Sequence, residues 1–130
     1  MNSTEAIVRK FYGTINKQPE VALGMVSDHV KWTEADHFVY HQGELNGKAT
    51  VIKTILEPVG RDVEHFKMEA FKLVTEGEHS AAFGLYTGRV RTTGAELRAQ
   101  FVHLFTVRDS SIVEFRQFTD TAAWIEALKN

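Results

Sequence analysis

Apolar residues in the opening segment recur at spacings of three and four. Ile7, Val8, Phe11, Tyr12 and Ile15 therefore share one face of a helix expected from about Ser3 to Asn16, with Asn2 or Ser3 as its cap. Pro19 suits the first turn of a second, short helix, where its missing N–H costs nothing, and Val21, Leu23, Met25 and Val26 supply the buried side. The period then shortens to two. Val30, Trp32 and Glu34 alternate with Lys31 and Thr33, so a strand here sends Trp32 and Glu34 to the same face. The polar, glycine-containing segment from Ala35 to Gly47 reads as a surface loop at a sheet end. Val51, Ile52, Ile55 and Leu56 then stripe a helix from about Lys48 to Glu57, which Pro58 is expected to stop.

Beyond Arg61 the pattern is that of strands. His65 to Thr75 turns at Glu76-Gly77-Glu78, Ser80 to Arg91 turns at Thr93-Gly94, Leu97 to Arg108 turns at Asp109-Ser110, and Ile112 to Thr119 follows. These four make an antiparallel meander. A last helix from about Thr121 has Ala122, Trp124, Ile125 and Leu128 for its buried side. Gly84 and Gly88 lie inside a strand-like run and fit places where a sheet bends or another group comes close. The order of helix, helix, strand, helix, four strands and helix predicts an α+β fold in which helices cover one face of a strongly curved sheet. No repeat, linker or low-complexity stretch interrupts it, so a single domain over residues 1–130 is expected.

Composition narrows the function classes. A net charge of -2 with interspersed signs gives no basic stripe for a phosphate backbone, so nucleic acid is not an expected partner. The chain has no cysteine, which excludes disulfides, thiolate metal sites and a thiol nucleophile, and is compatible with a cytoplasmic location. No apolar run approaches membrane-spanning length, so no membrane association is expected. There is no phosphate-cradling glycine motif and no GxSxG elbow. His37 and His41 sit four apart beside Glu34 and Asp36, but in a loop-like segment with no HExxH context, so no metal is expected.

The segments IVRKFYGTIN, VKWTEAD, GKATVI and VTEGEHSAAF, and above all HLFTVRDSSIVEFRQFTDTAAW, span nearly the whole chain in a telling order. In that order and spacing the sequence resembles the SnoaL-like and ketosteroid-isomerase-related branch of the nuclear transport factor 2 superfamily. The resemblance implies a cone-shaped, cystatin-like α+β barrel, its mixed sheet wrapped by N-terminal helices. It further implies an apolar small-molecule ligand in the cone, a homodimer through the outer sheet face and no required organic cofactor. Members include isomerases, polyketide cyclases, lyases, dehydratases, epoxide hydrolases and non-catalytic modules, so the fold does not choose among them.

The resemblance also implies site residues. Glu34 falls near the base position of the isomerases, Phe11 at the position of an oxyanion-binding tyrosine, and His103 at that of a protonated aspartate on a later strand. Tyr12 is about 100° around the helix from Phe11. In polyketide cyclases the acid/base falls near the end of the final strand, which here is Asp120. The residues also allow plainer readings. Asp120 before Thr-Ala-Ala-Trp is a natural helix N-cap, and His103, between Phe101 and Phe105 on an apolar strand, equally suits a hydrogen-bonded core position. Arg116 alternates in register with Glu114, Phe118 and Asp120. On an inner face it can hold a substrate carboxylate; on an outer one it is solvated or at a dimer contact. Trp32, Tyr86 and Phe101 complete the expected wall. The resulting expectation is a protein that moves a proton on an apolar carbonyl compound, with Glu34 or Asp120 as acid/base and His103 polarising the oxygen. A non-catalytic ligand-binding or dimerisation module, and an epoxide hydrolase- or dehydratase-like activity, stay open beside it.

Overall fold

A computed structural model of the chain describes residues 3–129. The expected Asn2 cap lies outside these. Helices α1 (Ser3–Ile15) and α2 (Pro19–Gly24) precede strand β1 (Val26–Glu34). Thr4, Val8 and Phe11 are the buried stripe of α1, and Pro19 sits at the start of α2. Met25 and Val26, expected on the second helix, instead cap it and open β1, which is correspondingly longer than the expected strand.

Two local features differ from the sequence pattern. The segment read as a loop contains strand β2 (Gly43–Asn46), which pairs antiparallel with the end of β1, Trp32 opposite Leu45. It is a short edge strand entered through a glycine at φ 83°, with only Leu45 buried. Nor does the chain break at Pro58. Helix α3 (Lys48–Val51) passes through a π-helical turn (Ile52–Leu56) into α4 (Glu57–Asp62), with Pro58 in the first turn of α4. A proline ring collides with the carbonyl four residues back, here Thr54, and the wider π turn lies over that residue.

Strands β3 (Val63–Glu76), β4 (His79–Val90), β5 (Glu96–Arg108) and β6 (Ser111–Thr119) form the expected antiparallel meander. Strand β1 then adds parallel to β6, giving one mixed sheet in the order β2-β1-β6-β5-β4-β3. The sheet is curved but does not close: β2 and β3 are its edges, so it is an open half-cone rather than a complete barrel. Register shifts within β3, β1 and the β5–β6 pair mark the bulges that bend it. At Gly84 an added Cβ would lie 2.3 Å from the Phe101 ring and 2.2 Å from the Glu69 carbonyl oxygen, so glycine is required there for neighbouring strands to close up.

Helix α5 (Thr121–Leu128) buries Trp124 and Ala127, while Ile125, expected inside, is 48% exposed and Ala122 is also exposed. The core lies between the concave sheet face and the helices, with Val8, Phe11, Phe105, Ile112 and Trp124 among its fully enclosed side chains. Among the described residues no helix is long and apolar enough to cross a membrane.

Candidate functional site

The inner faces of β1, β4 and β6 converge with α2, the π-helical turn, α4 and α5 on a cavity of about 310 Å³. That is the lower end of the range for small-molecule pockets. Its wall is mostly apolar and aromatic: Leu23, Ile55, Leu56, Val59, Phe66, Met68, Phe115 and Trp124, with Phe38 from the segment after β1. Both tryptophans of the chain, Trp32 and Trp124, face it. The polar side chains on the wall are Glu34, Gln117, Tyr86 and Asn16. Asn16 is spent on structure, since its amide donates to the Met68 carbonyl and accepts from the Met68 N–H, tying the end of α1 to β3.

Glu34 is 3% exposed. The period-two geometry of β1 puts it beside Trp32, whose indole N–H donates to Oε2 at 2.7 Å. Gln117 Nε2 donates to its other oxygen, Oε1. Burial away from water raises the carboxyl pKa to about 7, against the opposing pull of the Trp32 and Gln117 donors. Among the described residues, no Lys, Arg, His or second carboxylate lines the cavity. A lone carboxyl group so placed is part protonated near neutrality, and can both take up and return a proton there.

Behind Glu34 runs a continuous hydrogen-bonded row. Gln117 Oε1 accepts from the Tyr86 hydroxyl; the Tyr86 oxygen lies 2.6 Å from His103 Nε2; and His103 Nδ1 lies 2.6 Å from the Tyr12 hydroxyl. His103 has no solvent exposure, and burial lowers its pKa to about 3, so the ring is neutral. It is clamped between aromatic rings, stacked on Phe101 at 3.9 Å and on Tyr12 at 6.0 Å.

The structure thus gathers the expected residues only in part. Glu34, Trp32 and Tyr86 line the cavity. His103 does not: it lies one layer behind, against the cavity-lining Tyr86 and Phe115 and directly opposite Gln117. Tyr12, rather than Phe11, reaches His103; Phe11 is core, edge-on to Tyr12 and Phe105. Phe101 packs beneath His103 and Tyr86 and is likewise off the wall. Asp120 is exposed on the far side of the sheet, where its carboxylate accepts from the Ala123 N–H at 3.2 Å as the N-cap of α5. Arg116 is on the outer face, its guanidinium 5.1 Å from the centroid of the Phe118 ring. His37 and His41 lie between β1 and β2, and no group of three metal-ligating side chains occurs among the described residues.

Gln117 is the residue the sequence pattern missed. Strict alternation along β6 puts Glu114, Arg116 and Phe118 on one face, and the first two carry the conspicuous charges. The same alternation puts Phe115 and Gln117 on the buried face, and the register shift opposite Thr106 and Val107 changes the phase only for Ile112, which is buried as well. A neutral amide between aromatic neighbours, directly opposite His103 on β5, was the available signal.

A family model described as the SnoaL-like domain matches residues 8–115. No curated protein matches the sequence. Solved structures match over nearly the whole chain. An NTF2-like protein from Burkholderia thailandensis E264 is 23% identical, covers 100% of both chains and superposes with a TM-score of 0.89. A putative SnoaL-like polyketide cyclase from Jannaschia sp. CCS1 is 14% identical over 97% of this chain and 91% of its own, with a TM-score of 0.82. A hypothetical protein with a ketosteroid isomerase-like fold from Catenulispora acidiphila, in complex with trimethylamine, is 11% identical over 93% of this chain and 90% of its own, with a TM-score of 0.77.

Proposed function

The chain belongs to the SnoaL-like domain family, and from that premise we propose that it binds an apolar, carbonyl-containing small molecule and moves a proton on it, as an isomerase, cyclase or lyase does. Glu34 is the acid/base. The observation that carries this reading is a single carboxyl group, 3% exposed and with a pKa of about 7, on the wall of an otherwise apolar cavity. Among the described residues no basic side chain lies on that wall, which argues for a neutral substrate, because a carboxylate or phosphate would meet Glu34 without a counter-charge. Trp32 and Phe115, stacked at 3.8 Å, offer it a flat aromatic surface. Asp120 and Arg116 have no part in the reaction on this reading, and His103 acts only through its neighbours.

The test is proton exchange next to a carbonyl. A panel of apolar cyclic ketones and enones is incubated with the protein in deuterated buffer at neutral pH, and loss of the α-proton signal is followed by NMR. A general base contributes roughly 10²–10⁴-fold, so Glu34→Gln should slow exchange by at least about a hundredfold. Equal exchange by the two proteins refutes the assignment. One observation favours a second reading, a non-catalytic binding module: the Tyr86 and His103 hydrogen-bonding groups are already spent on one another, which leaves Glu34 without an obvious oxyanion-binding partner. Quenching of Trp32 and Trp124 fluorescence by ketones that never exchange supports that alternative.

We also propose a homodimer through the outer sheet face. There Phe71 is 74%, Phe118 45% and Leu104 41% exposed, close to Phe83 and Val102, an apolar surface of the kind that a second copy covers.

A further inference from the structure

The row of side chains from Tyr12 to Glu34 has a direction that chemistry fixes once Glu34 is ionised. An ionised Glu34 can only accept, so the Gln117 amide must turn its N–H towards it and its carbonyl oxygen towards Tyr86. That oxygen can only accept in turn, so it takes the one Tyr86 proton, and the Tyr86 oxygen must accept from His103 Nε2–H. A neutral imidazole has one N–H, so Nδ1 is bare and accepts from the Tyr12 hydroxyl. Every donor then points towards Glu34. Reversing the row would turn the Gln117 carbonyl against the carboxylate. It would also strip the Tyr12 hydroxyl of the protein acceptor that His103 Nδ1 provides.

We propose that Tyr12 and His103, neither of which lines the cavity, are positioning residues for Glu34, holding the Gln117 amide through Tyr86 so that its N–H faces the carboxylate. The row starts outside the site. Tyr12 also lines a separate surface groove between α1 and β3, with Arg9, Gly13 and Glu69, so it joins that groove to the cavity through the protein interior. The groups facing Glu34 from the elements packed around it are Tyr86 of β4, Gln117 of β6, Asn16 after α1 and Trp32 of its own strand; none is charged. The orientation of one amide therefore matters more here than it would beside a fixed cation. This inference rests on reading Glu34 as the proton-carrying group.

Two measurements on the ligand-free protein test it. Nitrogen-15 NMR of His103, above pH 7, should show Nε2 protonated and Nδ1 bare in the wild type. Carbon-13 NMR of the Glu34 carboxyl should give a midpoint that rises in Tyr12→Phe by about one pH unit, the value of one weakened hydrogen bond to a charged group. In the same variant His103 should populate both tautomers, and Tyr86→Phe should move the Glu34 midpoint further in the same direction. A purely structural role for Tyr12 changes stability without moving either signal. A wild-type His103 protonated at Nδ1 overturns the inference, as does a Glu34 midpoint unmoved by Tyr12→Phe. A wild-type Glu34 midpoint in the ordinary carboxylate range defeats the catalytic reading instead, and the tautomer measurement still decides the direction of the row.

Discussion

Replacing Glu34 by Gln should change the response of the fold to pH, and the change can be worked out from two buried groups. Glu34 has its pKa raised from 4.5 to about 7, so the folded state binds its proton more tightly than the unfolded chain does. The associated stability is fully present below about pH 4.5 and is lost as the pH rises towards 7. His103 runs the other way. Its pKa falls from 6.5 to about 3, so its contribution is present above pH 6.5 and is lost as the pH falls towards 3. Between pH 4.5 and 6.5 the two slopes are each about 1.4 kcal/mol per pH unit and opposite in sign. They cancel in the wild type.

In Glu34→Gln only the His103 slope survives. Stability of the variant should therefore climb, relative to the wild type, by about 3 kcal/mol between pH 4.5 and 7, roughly one proton over two and a half units. Exposed acids and histidines are common to both proteins and drop out of the difference. The constant offset between the curves, set by placing an amide N–H₂ between the Trp32 and Gln117 donors, does not affect the slope. Urea unfolding followed by tryptophan fluorescence, at fixed protein concentration and half-unit pH steps, provides the curves, and equal m-values license the subtraction. Parallel curves for the two proteins across this range would show that Glu34 is not a carboxyl group of raised pKa, and the proposed chemistry would lose its acid/base.

Asp120→Ala should cost about 1 kcal/mol through loss of the α5 cap. Because Asp120 lies across the sheet from the cavity, carbon-13 titration of Glu34 in this variant should match the wild type; a shift would reinstate Asp120 in the site. Gly84→Ala should destabilise by about 1–3 kcal/mol in chemical denaturation, since the new methyl group meets the Phe101 ring and a backbone oxygen that cannot swing away; a neutral result would mean that β3 and β5 can move apart around β4 without cost. Light scattering should give twice the 14.7 kDa chain mass for the wild type and a single mass for Leu104→Glu, whereas a monomeric wild type at micromolar concentration removes the dimer.

Periodicity carried the architecture because the helices and the long strands each bury one regular face. Val8 and Phe11 on α1, and Trp32 with Glu34 on β1, lie where spacing puts them. What escaped was set by neighbours in space. β2 exists because Leu45 pairs opposite Trp32, although four residues with one buried side chain carry little pattern of their own. The helix continues through Pro58 because a π turn precedes it, a local adjustment that propensity does not foresee.

The same limit governs the site. Glu34 was legible because its partner Trp32 is two residues away on one strand, whereas the Gln117 that holds its other oxygen is 83 residues away on another. Charge was a misleading guide, since Arg116 and Asp120 stand out in the sequence for the very property that keeps them in water. An uncharged amide is cheaper to bury, and it offers one donor and one acceptor face, so it can pass hydrogen-bond direction along a row as a charged group cannot. That property makes Gln117, flanked by Glu34 and Tyr86, the link through which His103 and Tyr12 reach the carboxyl group.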